Sequence, residues 1–271
     1  MSHIALRIIR TTAFFRAKDE TRMARYDFAS HRLHVSGDLA AGKTVPLEAA
    51  QINYLLNVLR MEEGARLLVF NGRDGEWLAE IRKPTRKTAV LILHERTRPQ
   101  VAASPIRYAF APLKSARLDY IVQKAVEMGA GSLAPVITQR TQVSRLKADR
   151  LHANAIEAAE QCGILAPVTI EPERKLAGFL AALPPEELLV FCDEDAEIAD
   201  PLAALKASGS AARISVLIGP EGGFTPEERA AILNHPRLCR LSLGPRILRA
   251  DTAAVAALAL VQTVLGDWQP A

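Results

Sequence analysis

Cysteine is scarce in this 271-residue chain: Cys162, Cys192 and Cys239 stand far apart, with no C-x-x-C pair among them. That spacing argues against a zinc site and a disulfide framework, and each thiol is expected to pack as a small apolar residue. An odd number of thiols and no signal-peptide cleavage pattern place the chain in a reducing compartment, the cytoplasm. Long hydrophobic runs are missing too. The nearest, Thr252 to Leu265, is short and carries Gln262 and Thr263, so no membrane span is expected. The loop Gly219 to Gly223 is neither of the phosphate-binding patterns G-x-x-x-x-G-K-[ST] and G-x-G-x-x-G, and the serines lack the G-x-S-x-G elbow of hydrolases. The six histidines show neither metal-ligand nor triad spacing, so no metal is expected.

An apolar fraction of 49% marks a folded chain, and the length suits two domains better than one. Charge is uneven. Residues 1–105 hold 17 Lys and Arg against 11 Asp and Glu, whereas 106–271 hold 17 against 19. A basic N-terminal part is suited to a polyanion.

The first 22 residues carry no strand or hairpin pattern and are expected to be an extension or a frayed arm. From Tyr26 to about Leu93 the signals are mostly β: Arg32 to Val35, Arg66 to Phe70, Glu76 to Ile81 and Thr88 to Leu93. The Asn71-Gly72-Arg73-Asp74-Gly75 run supplies a hairpin loop. One helix, Glu48 to Arg60, is expected from Ile52, Leu55, Leu56 and Leu59. The sum is a small closed or half-closed β-barrel. His94 to Pro105 is polar, holds two prolines and reads as the linker. Beyond it, strand-like runs (Ile106–Ala111, Leu133–Thr138, Val168–Ile170, Leu188–Cys192, Ile214–Ile218, Leu238–Leu243) alternate with helical patterns, the signature of a parallel sheet covered on both faces. Thr225-Pro226-Glu227-Glu228 is a capping box with proline at the first helical position, and its cap is worth about 1 kcal/mol. Gly129 is expected to end the helix that starts near Lys114. The last helix, from Asp251 as N-cap through Leu265, is apolar nearly all round, which requires either a subunit interface or a place deep in its own domain.

Two glycine-bearing turns follow strand-like runs directly, Gly219-Pro220-Glu221-Gly222-Gly223-Phe224 and Gly244-Pro245-Arg246-Ile247-Leu248-Arg249. Open α/β sheets bind ligands beyond the carboxyl ends of their strands, so these turns are the candidate site. Glu221 would repel a phosphate, which points to a ligand of cationic or neutral hydrogen-bonding character. Lys114 and Arg117, and then Arg140 and Arg145, follow other strands and are expected to add a basic rim.

The segments LIGPEGGFTPEE (Leu217 to Glu228), LSLGPRILRADTA (Leu241 to Ala253), KSARLDYIVQKAVEMG (Lys114 to Gly129), QRTQVSR (Gln139 to Arg145) and AAEQCG (Ala158 to Gly163) together resemble the RsmE-type uridine-N3 methyltransferases of small-subunit ribosomal RNA, members of the knotted SPOUT class. RMARYDF and NYLLNVLRMEEG resemble that family's PUA-like RNA-binding barrel, so the likeness runs from about Met23 to Trp268. Asp251 stands where the family usually has Glu.

The resemblance implies an α/β fold of three parts: an N-terminal extension (1–22), a small PUA-like β-barrel (23–98) and a SPOUT-type parallel sheet with a C-terminal trefoil knot (99–271). It also implies S-adenosylmethionine as methyl donor, 16S rRNA or the small subunit as substrate, and a homodimer. On this reading Leu217, Gly219, Glu221, Gly222, Leu243, Gly244, Ile247 and Leu248 surround the cofactor, with glycines where backbone must come close. Arg249 orients uracil or stabilises its charge, and Asp251 joins it as a catalytic candidate. Glu221 and Asp251 are both candidates for the general base, and solvent is a third. Arg22, Arg25, Arg32 and Arg60 would hold RNA backbone from the barrel, with Lys114, Arg117, Arg140 and Arg145 at the sheet edge. Two other readings stay open: a non-catalytic RNA-binding assembly factor, and a SPOUT methyltransferase with another RNA target.

Overall fold

A computed structural model describes residues 30–85, 88–142, 146–196 and 200–268. The 1–22 extension, Arg22, Arg25 and Arg145 lie outside the described residues.

The N-terminal sheet has five strands, β1 (Arg32–His34), β2 (Thr44–Pro46), β3 (Arg66–Phe70), β4 (Glu76–Arg82) and β5 (Val90–Arg98), in the order β1-β3-β4-β5-β2. Among the described residues only β1 and β3 run parallel and no β1–β2 pairing closes the ring, so over those residues the barrel is the half-closed form. Its core is aliphatic, with Leu55, Leu67, Val69, Ile81 and Leu91 fully buried. The β3–β4 hairpin turns as expected: Gly72 and Gly75 take left-handed φ of 78° and 85°. Asn71 Oδ1 accepts the Arg73 and Asp74 amides at 3.0 and 2.9 Å, an Asx turn that stiffens the loop.

Two expectations change here. The single helix over 48–60 is a short α1 (Ala49–Ile52) that widens into a π-helical stretch, Asn53–Val58, with Leu59 N donating to Tyr54 O at 2.9 Å. The wider turn carries Leu55 into the core, and Arg60 ends it at φ 55°. The segment from His94 is not all linker, because β5 continues to Arg98 along β4. Residues 94–97 are exposed, so the strand has no apolar alternation to betray it.

The second sheet is parallel throughout: β6 (Ile106–Phe110), β7 (Ser132–Ile137), β8 (Thr169–Ile170), β9 (Arg174–Lys175), β10 (Leu188–Cys192), β11 (Ile214–Ile218) and β12 (Leu238–Leu241). Its order is β12-β10-β11-β6-β7-β8, with β9 also on β7. Expected strand Val168–Ile170 shrinks to a two-residue edge ladder. Along β11, Ile214, Val216 and Ile218 face one apolar layer and Leu217 the other, which is why this strand reads as an unbroken apolar run. The first layer holds α2 (Ser115–Glu127), α3 (Ala148–Cys162), α5 (Pro201–Ala207) and α7 (Ala250–Leu265); the second holds α4 (Leu176–Ala181) and α6 (Pro226–Leu233). Gly129 ends α2 at φ 77°, and buried Gln262 of α7 donates to the carbonyls of Met128 and Gly129 at 2.9 and 3.2 Å. Ala254, Ala257, Leu258 and Val261 of α7 are buried against the chain's own core, while Val255, Ala256, Ala259 and Leu260 are partly exposed.

A buried carboxylate joins the two sheets. Glu76 accepts from Arg32 Nε at 3.2 Å and from Arg98 Nε at 2.9 Å, and Arg98 also donates to the Gly163 carbonyl at 2.9 Å. His34 N donates to Glu160 of α3 at 2.8 Å. Arg32 was expected on an RNA-facing surface; its side chain is 4% exposed and bound to Glu76, so it holds the barrel together instead.

Candidate active site

β12, β10 and β11 are neighbours in the sheet, and their carboxyl ends release three loops toward one cavity of about 450 Å³. That volume lies in the range of small-molecule sites. The first loop is Asp193–Ala196, the second Gly219–Phe224 and the third Ser242–Arg249, with Ala250 and Ala253 of α7 closing the base. The bed is apolar: Phe191, Ile218, Leu241, Leu243, Phe224 and Leu248 line it.

Local sequence explains the stiffness of the second loop. Thr225 Oγ1 accepts from Glu228 N at 3.3 Å and Glu228 Oε2 accepts from Thr225 N at 3.1 Å, the expected capping box. Glu228 Oε1 also accepts from Gln139 N at 2.8 Å, which fastens the loop after β7 to the same helix start. From that loop Arg140 Nη1 donates to the Gly222 carbonyl at 2.6 Å, and Arg117 of α2 meets Glu221 at 3.3 Å. Both arginines, expected on an RNA-facing rim, are thus engaged by the glycine turn. Lys114 is exposed at the start of α2, and Arg60 is exposed on the barrel.

Of the residues expected to surround the cofactor, Gly219, Glu221, Leu243, Gly244, Ile247 and Leu248 line the cavity. Leu217 does not; it is fully buried and supports the wall from behind, packed in the layer with Phe191. Gly222 is turned toward Arg140, whose Cδ lies 3.4 Å from where a Cβ would stand. Gly219 has Phe224 in the same relation at 2.6 Å, so a side chain there would drive the ring from its place on Phe191. Gly244 takes φ 93° with nothing within 4 Å of a Cβ position. Ile247 is fully exposed at the mouth, so its side chain does not pack into the apolar bed.

Arg249 lines the cavity and is itself the N-cap of α7, two residues before Asp251, the expected N-cap. Asp251 sits inside the first helical turn, half-buried, its Oδ1 accepting from Thr252 N at 2.9 Å, and does not line the cavity. The helix can begin earlier because Ala250 packs into the core, and a carboxylate remains favourable in the first turn.

Sequence reading missed the first loop. Asp193 is 2% exposed and bound by Arg229 at 2.9 Å and Arg240 at 2.8 Å; despite its burial, these guanidiniums hold its carboxyl below the usual range. Burial drives the Cys192 thiol up to about 12, so it lines the cavity as a neutral apolar group. No motif marks these residues; the only available signal was their position at the end of an apolar run. Among the described residues no group of His, Cys, Asp and Glu is arranged to hold a metal.

A family model described as RNA methyltransferase domain matches residues 100–262, and one described as RNA methyltransferase PUA domain matches 47–93. The chain is 30% identical over 233 residues to Ribosomal RNA small subunit methyltransferase E of Rickettsia conorii, covering 86% of this chain and 95% of that one. Its namesake in Synechocystis is 33% identical, covering 87% and 78%. Among solved structures, Ribosomal RNA small subunit methyltransferase E from Neisseria gonorrhoeae bound to S-adenosyl methionine superposes with TM-score 0.76 at 29% identity, covering 89% of this chain and all of that one. The putative methyltransferase Lpg2936 from Legionella pneumophila, in complex with bound SAM, gives TM-score 0.76 at 29% identity, covering 88% and 99%.

Proposed function

This chain belongs to the RNA methyltransferase family, and from that premise we propose that it transfers a methyl group from S-adenosylmethionine to N3 of a specific uridine in 16S rRNA of the small ribosomal subunit. The observation that carries this reading is the glycine-walled apolar cavity at three adjacent strand ends, with Arg249 on its lining. The cavity suits the donor: apolar surface for the adenine, and close backbone at Gly219 and Gly244 for its polar edge. When bound, the donor supplies an electrophilic methyl on sulfur.

The chain's own work is then alignment and charge control. Leu243 and Leu248 hold the adenosine, and the Glu228-anchored loops fix the second wall. Arg249 has no ion-pair partner among the described residues and is free to face the uracil, where its guanidinium stabilises the negative charge that develops as N3 loses its proton. Glu221 is engaged by Arg117 and Asp251 stands off the cavity, so the proton passes to solvent. Because N3 lies on the pairing edge, the target uridine is unpaired or flipped out.

The reading includes a barrel over 23–98 and a catalytic unit over 99–271, supported by the end of β5 at Arg98. It includes RNA backbone held by Arg60, Lys114 and the rim arginines, and a trefoil knot, which the β12-β10-β11 order and the packing of α7 on α2 and α5 support. A homodimer through the partly exposed apolar face of α7 and a cytoplasmic site complete it; no helix among the described residues is long and apolar enough to cross a membrane. The test is mass spectrometry of 16S rRNA from a deletion strain. N3-methyluridine is expected to disappear, to return with the wild-type chain, and to form about 10²–10³-fold more slowly with Arg249→Ala while cofactor affinity is kept. Persistence of the base in the deletion strain refutes the proposal.

A further inference from the structure

The charged groups around the cavity sort into two sets. Asp193 and Arg229 neutralise one another, with Arg240 adding a second cation behind them. Asp195 shares Arg229 at 3.5 Å, and Glu221 is paired with Arg117. Glu194, Arg246 and Arg249 remain, lining the cavity with no hydrogen-bond or ion-pair partner among the described residues. Their placement is polarised. Glu194 Oε1 lies 2.6 Å, and Arg140 Nη1 4.0 Å, from where a Cβ of Gly223 would stand, so the carboxylate leans against the Gly223 backbone on the β11 flank with the Arg140 guanidinium nearby. Both guanidiniums come from the loop after β12, on the other flank of β10.

We propose that Glu194 binds the α-ammonium of the donor's methionine head and Arg246 its α-carboxylate, leaving Arg249 for the uridine. This rests on the methyltransferase reading above. One unpaired carboxylate and one unpaired guanidinium lining the same cavity match the two opposite charges of an amino-acid head, and charge-assisted hydrogen bonds are the strong class of such contacts. Gly223 admits the Glu194 carboxylate because it has no side chain, and its φ of 68° keeps the turn in a form other residues resist. Asp193 cannot take this role, since its oxygens are already held by two arginines.

The test separates the head from the nucleoside. S-adenosylhomocysteine and 5′-methylthioadenosine are both neutral thioethers of adenosine, but only the first carries the amino-acid head. Titration calorimetry on the full chain is expected to show Glu194→Gln and Arg246→Ala each weakening S-adenosylhomocysteine about tenfold, with methylthioadenosine unchanged within about twofold. Glu194→Asp, which keeps the charge one methylene shorter, is expected to fall between, and thermal melts confirm each variant is folded. Equal loss for both ligands, or none for S-adenosylhomocysteine, overturns the assignment while leaving the methyltransferase reading intact. Failure of the wild-type chain to bind S-adenosylhomocysteine at all overturns both.

Discussion

Glu228→Ala removes a carboxylate that accepts from two backbone amides in different segments, Thr225 N at 3.1 Å and Gln139 N at 2.8 Å. Hydrogen bonds to a charged group contribute about 1.5–3 kcal/mol each, but water reaches the vacated amides in part, so the expected loss is about 2–3 kcal/mol in total. For a chain of this size that lowers the melting temperature by about 5–10 °C. The effect extends to the cavity, because Gln139 precedes Arg140, which holds the Gly222 carbonyl. Cofactor affinity is therefore expected to fall severalfold in calorimetry. Glu228→Gln keeps one acceptor and turns an amide group toward the other N–H, so about half the stability loss is expected. A double-mutant cycle with Thr225→Ala should be non-additive, since the two side chains cap one helix start reciprocally. A melting temperature for Glu228→Ala within about 1 °C of wild type refutes the anchoring argument.

Burial raises the Glu160 carboxyl to about 7, with Glu157 adding to the rise and the His34 amide opposing it. A carboxyl raised in the folded state favours folding while protonated, so this contribution is complete below 4.5 and is lost as pH rises through about 7. Melting temperatures of wild type and Glu160→Gln should diverge across that window, wild type losing more, and parallel curves would disprove the linkage. Glu76→Ala takes away the carboxylate that Arg32 and Arg98 share, at 3% exposure, and is expected to cost about 3–5 kcal/mol in urea titration. A loss below about 1 kcal/mol would show that the pair is dispensable.

Much of the fold was legible because its signals are local. The capping box at Thr225 and Glu228, the left-handed glycines of the β3–β4 hairpin and Gly129 each depend on residues a few positions apart. The π-helical turn at Asn53–Val58 was not legible, since one register step in the hydrogen bonding leaves the apolar spacing almost unchanged. The exposed end of β5 escaped for the opposite reason: it is held by partners on β4 and by Arg98, not by its own burial.

By itself the sequence determined that a basic β unit precedes a parallel α/β unit, and that two glycine turns at strand ends form walls of the site. Those facts are written in composition, period and turn chemistry. Only the tertiary structure decided that the end of β10 makes a third wall, that Asp193 is neutralised while Glu194 stands unpaired, that Arg32 is interior, and that Leu217 and Asp251 stand off the cavity. The reason is that strand order places β10 between β12 and β11, and whether a charge is paired or free depends on groups tens of residues away that only this order brings within reach.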